Sequence, residues 1–68
     1  MKKNLEDLNA LLKEAAEKLD EAASVIRDIN LDKEKNMYKV GEALTNIYEI
    51  QNEIFELCPE LKPKYLDG

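Results

Sequence analysis

Sixty-eight residues allow one small domain. A chain of that length normally needs a metal, disulfides, oligomerisation or very regular helices to be stable. There is no His and a single Cys, Cys58, so neither a metal nor a disulfide staple is expected, and no cofactor. The formal net charge of −5 argues against nucleic acid and against an anionic membrane surface, both of which need a basic patch.

The chain is 44% hydrophobic and 37% charged, a mixture that suits a helical bundle better than a disordered segment. No apolar run approaches the roughly 20 residues of a membrane span. The start, MKKNLEDLNALL, is interrupted at once by acids and does not read as a signal peptide. The expectation is a soluble, cytoplasmic protein.

Met1 to Lys3 reads as a frayed end, with Asn4 as the N-cap of a first helix and Glu6 and Asp7 suiting its positive pole. An apolar 3-4 spacing then runs through Leu5, Leu8, Leu12, Ala15, Leu19, Ala22, Ile26 and Ile29, a heptad seam. Ala16 and Ala23 widen it to an arc of about 140°. The alanine pairs at 15–16 and 22–23 permit close approach by a neighbouring helix. Glu14 and Lys18 have the spacing of an i, i+4 ion pair.

Asn30-Leu31-Asp32 reads as the turn: Asn30 suits the left-handed position that ends a helix, and Asp32 suits the cap of the next. Helix one is placed at about 4–29 and helix two at about 33–58.

Helix two carries the widest apolar face. Val40, Ala43, Leu44, Ile47, Ile50, Ile54, Leu57 and Cys58 share one side. Met37, Tyr48 and Phe55 extend it to about 180°, more than the roughly 100° stripe one neighbour covers. Gly41, flanking that face, costs about 1 kcal/mol against Ala, and close backbone approach is its expected reason. Gln51 lies within the face, where a polar residue must find a partner or reach the rim, and where it can fix register between subunits. Cys58 reads as a small buried apolar residue.

Pro59 stops helix two because it has no N–H for the ladder. The tail at 59–68 holds Leu61, Tyr65 and Leu66. It can dock onto the end of the bundle, lie disordered or serve as a linear motif. Its prolines stand four apart, which is not the PxxP spacing.

No nucleophile with a base and no glycine-rich phosphate loop is present. Glu14–Glu17 and Glu53–Glu56 have the Glu-x-x-Glu spacing through which all-α nucleotide pyrophosphohydrolases bind magnesium. Here the first pair lies opposite the leucines of helix one and the second lies outside the apolar arc of helix two. Acids on separate wet surfaces cannot share a metal, so a magnesium enzyme of that kind is only a remote alternative.

Charge is segregated. Val40 through Leu61 contains no Lys or Arg but carries Glu42, Glu49, Glu53, Glu56 and Glu60. The first four fall within an arc of about 60° on the outer face. Such a ridge is a solubilising face or a contact for a basic partner.

The expected architecture is an all-α, two-helix antiparallel hairpin that self-associates, as a dimer, into a four-helix bundle. Leu12, Leu19, Ile26, Leu44, Ile47, Gln51 and Ile54 are the interface candidates. Glu42, Glu49, Glu53 and Glu56 are the candidates for contact with a basic protein. The expected function is a non-catalytic adaptor or chaperone-like binding protein; the alternative is a purely structural homo-oligomerisation module.

Overall fold

The computed structural model describes residues 1–63. It is an all-α helical hairpin. Helix α1 spans Lys2–Ile29, helix α2 spans Lys33–Leu57, and a 3-10 turn at Pro59–Leu61 follows. At 28 and 25 residues the helices are about 42 and 38 Å long at 1.5 Å per residue. They lie antiparallel, and the particle measures 41 × 24 × 17 Å. It is therefore two helices wide and little more than one helix thick. No helix among the described residues is long and apolar enough to cross a membrane.

The helix ends show which local signals were decisive. Asn4 is not the N-cap: α1 starts two residues earlier, with Met1 at the cap position and no side chain closing it. The Leu5 N–H bonds the Met1 carbonyl at 3.0 Å. The extra residues are held by a contact distant in sequence, the Lys2 ammonium 3.0 Å from the Glu60 carboxylate.

At the other end Asn30 takes the left-handed conformation, φ 53° and ψ 46°. The Leu31 N–H reaches the Ile26 carbonyl at 3.2 Å, the six-to-one bond of a Schellman ending. Asp32 occupies the N-cap of α2, also left-handed at φ 37°, but makes no side-chain capping bond. Its carboxylate instead pairs with Lys35 at 3.3 Å. The turn is closed by the Asn36 side-chain amide, which donates to the Leu31 carbonyl at 2.7 Å.

Helix α2 ends at Leu57, and Pro59 opens the 3-10 turn. That turn packs against α2, with Leu61 and Pro63 half-buried. The near part of the tail is docked; Tyr65 and Leu66 lie outside the described residues.

The interior is thin. Ala23, Ile54 and Cys58 are the buried apolar residues among those described. The α1 seam divides. Leu5, Leu12, Leu19 and Ile26 turn toward α2, joined by Asn9, Ala16 and Ala23, whereas Leu8, Ala15, Ala22 and Ile29 stay exposed. Both sets keep a seven-residue period.

On α2 the inward residues include Met37, Val40, Leu44, Ile47, Ile54 and Cys58, while Tyr48, Ile50 and Leu57 are exposed. Gly41 does not mark a close approach: a Cβ built there meets nothing within 4 Å. The Gly41 carbonyl accepts a bond from the Thr45 hydroxyl at 3.0 Å. Nor do Glu14 and Lys18 pair; Lys18 turns to Glu21 at 3.3 Å.

Candidate functional site

The seven interface candidates lie between the two helices of one chain. Leu12, Leu19, Ile26, Leu44, Ile47 and Gln51 are half-buried, and Ile54 is 3% exposed. The Gln51 amide nitrogen donates to the Asn9 side-chain oxygen at 3.2 Å. The polar residue in the apolar face thus finds its partner within its own chain, where it fixes the register of α1 on α2. Asn9 was not anticipated. The available signal was that 9, 16 and 23 repeat every seven residues beside the leucines.

The helix pair has two long sides. One is a groove with Asn9, Lys13 and Asp20 on α1 facing Tyr48, Asn52 and Phe55 on α2, bounded at one end by Leu61 and Pro63. Amides and both signs of charge share it with two aromatic rings and the apolar Leu61 and Pro63.

The other side follows from the helix period of about 100° per residue. On α1, Lys13 and Asp20 lie on one flank of the inward stripe. Leu8, Leu11, Ala15, Ala22, Val25 and Ile29 lie on the other, with the exposed Lys18 between Leu11 and Val25. On α2, Tyr48 and Asn52 mark the groove flank, and Ala43, Ile50 and Leu57 the opposite one. Both apolar sets therefore share the side away from the groove. All but the half-buried Ala43 are open to solvent: Leu57 is 70% exposed, Leu11 63%, Ile29 62% and Val25 55%. Leu11 and Val25 were not singled out from sequence because they fall at the edge of the seam.

The four ridge acids, Glu42, Glu49, Glu53 and Glu56, are all exposed on α2. None forms an ion pair with another described residue. Glu60 belongs to a different cluster, at the end where the Lys2 side chain crosses to it. The Lys2 hydrogen bond, then that of the Cys58 thiol, holds the Glu60 carboxyl below its ordinary 4.5. The Lys2 ammonium is raised by the same hydrogen bond. The Cys58 thiol donates to Glu60 at 3.3 Å. Desolvation, then that bond, pushes the thiol pKa up, which favours the protonated form.

Among the described residues no three His, Cys, Asp or Glu side chains converge as a metal site would require. Glu14, Glu17, Glu53 and Glu56 are exposed, each pair on its own helix.

Compared with known proteins, the chain matches no family model, no curated protein and no solved structure.

Proposed function

We propose that this chain is a small, acidic, non-catalytic protein-binding module of the cytoplasm, an adaptor or chaperone-like subunit that works through helix packing and an acidic face. The observation that supports this most directly is the bare apolar side formed by Leu8, Leu11, Val25, Ile29, Ile50 and Leu57. Contiguous exposed apolar surface is uncommon on soluble monomers and marks interaction sites. A hairpin with so thin an interior also gains stability from whatever covers it.

The ridge at Glu42, Glu49, Glu53 and Glu56 adds a field of one sign on the outer face of α2, beside the apolar side. It would steer a basic protein and raise its association rate, an effect that salt weakens. A purely structural oligomerisation module is the second reading; the same bare side favours it, and it gives the ridge no role.

Replacing Glu42, Glu49 and Glu53 together with Gln separates the two. Helix content should be unchanged and the stability of the hairpin itself equal or slightly higher, because Glu49 and Glu53 repel at i, i+4. Capture of basic proteins from host extract should slow by about tenfold at low salt. Wild-type capture should itself weaken between low and physiological salt. Equal capture rates for both proteins at both salt concentrations would leave the ridge as a solubilising face and favour the structural module.

A further inference from the structure

The geometry points to a second copy of this chain as the occupant of the apolar side, related by a two-fold axis that runs α1 antiparallel to α1. This rests on the association reading above and names the partner for one of its two surfaces. Three features of that side carry it.

The first is the order of side-chain sizes along α1. Leu8, Ala15, Ala22 and Ile29 stand seven apart and are all exposed. The order is large, small, small, large, which reads the same from either end. Turned about an axis between Ala15 and Ala22, the stripe meets itself. Leu8 then packs on the second copy's Ile29, and Ala15 on its Ala22. The alanines let the helix axes approach to about 8 Å at the centre, and the larger residues fill the wider ends.

The second is charge. On α2, Lys35 and Lys39 border the half of this side near the turn, and Glu49 and Glu53 border the half near the chain ends. The α1–α2 register set by Asn9 and Gln51 lets the same axis be carried across to α2. It brings Lys35 beside the second copy's Glu49, with its Glu53 and Lys39 within a turn or so. At the axis each Lys18 and each Glu42 comes near its own counterpart in the second copy, and the same register sets Lys18 level with Glu42, so that opposite signs alternate there too. Among the described residues Lys39, Glu49 and Glu53 make no ion pair, and Lys35 has only its exposed contact to Asp32. A two-fold axis along the hairpin would instead gather the acidic halves of both copies at one end. With a net charge of −5 on each chain, that arrangement opposes association. A like-charged pair of chains associates best where opposite signs face each other.

The third is area. A stable dimer buries about 800 Å² on each partner. A flat particle of 41 × 24 Å presents enough surface on one side to meet that figure.

The test uses cysteine cross-linking on a Cys58→Ser background, with Ala15→Cys and Ala22→Cys made as separate proteins. Both positions are exposed in the hairpin, so neither substitution disturbs its interior, and circular dichroism checks the fold. Under mild oxidation an equimolar mixture should form the mixed disulfide at least about tenfold faster than either variant alone. Only opposed Cα atoms come within the roughly 4.4–6.8 Å that a disulfide needs. Unmodified protein in light scattering should show twice the 7.8 kDa chain mass, with a midpoint of thermal unfolding that rises with concentration.

Single variants that cross-link as fast as the mixture, or a mixture that does not cross-link, would overturn the antiparallel arrangement. A mass of 7.8 kDa across the micromolar range would overturn the second copy itself. Salt-sensitive capture that persists in that monomer would leave the protein-binding reading standing; its loss as well would remove both.

Discussion

The two long sides of the helix pair are made by the same two helices, yet they present opposite chemistry. The groove side shows Lys13, Asp20, Asn52 and the rings of Tyr48 and Phe55, and Asn9 bonds Gln51 at its floor. Water can satisfy its amides and charges, which stand beside the rings, Leu61 and Pro63. The other side shows Leu8, Leu11, Val25, Ile29, Ile50 and Leu57, with alanines, Lys18, Lys39 and Asn46 among them. The contrast comes from a rotation of α1 about its own axis. Two seven-residue stripes lie about 60° apart on α1, one beginning at Leu5 and the other at Leu8. Only one can point at α2. The hairpin uses the first and leaves the second for another surface. The general lesson is that an apolar arc wider than one neighbour can cover divides into an inner part and a part left for association.

The sharpest way to break the comparison is to damage what both sides share. Ile47 is half-buried on the inward face of α2. Ile47→Asp places an unpaired charge there, at a cost of several kcal/mol, comparable to the whole stability expected of so small a chain. Helical circular dichroism should be largely lost at 25 °C. Ala10→Asp on the exposed back of α1 should cost no more than about 1 kcal/mol, its propensity term. Similar losses from the two would mean the faces are misassigned.

A smaller effect of opposite sign is expected at Gly41. No neighbour lies where its Cβ would go, and its φ is not positive. Gly41→Ala should therefore stabilise the fold by about 1 kcal/mol, read as a higher denaturation midpoint at unchanged slope. A destabilised variant would show that the glycine serves an interface the single hairpin does not contain.

The smallest effect is expected from acid. The Glu60 pKa is lowered in the folded chain, first by its hydrogen bond to Lys2. Its contribution is fully present above the ordinary carboxylate range and is lost as pH falls through the lowered value. Because Lys2 and Glu60 are both exposed, global stability should hardly move. Hydrogen exchange at the Leu61 and Lys62 amides, which bond the Cys58 and Pro59 carbonyls, should rise on acidification more than exchange within α2. Glu60→Gln should abolish that difference.

Much of this was decided by sequence alone. Two helices of nearly equal length, the turn at Asn30–Asp32 and the stop at Pro59 follow from local chemistry: 3-4 apolar spacing, a residue that tolerates the left-handed region and a residue without an N–H. The segregation of the ridge acids onto one face is likewise a matter of helix period. Tertiary structure alone decided which way α1 is turned. Leu5, Leu12, Leu19 and Ile26 belong equally to a seam completed by Leu8, Ala15 and Ala22 and to one completed by Asn9, Ala16 and Ala23. The second prevails in the hairpin. Asn9 there satisfies Gln51, and the register set by that pair brings Ala16 and Ala23 opposite the larger Leu44 and Met37. The first turn of α1 carries a contact of the same kind, Lys2 reaching Glu60 across the hairpin. Such choices depend on residues more than forty positions apart meeting in space, and no local window contains both partners.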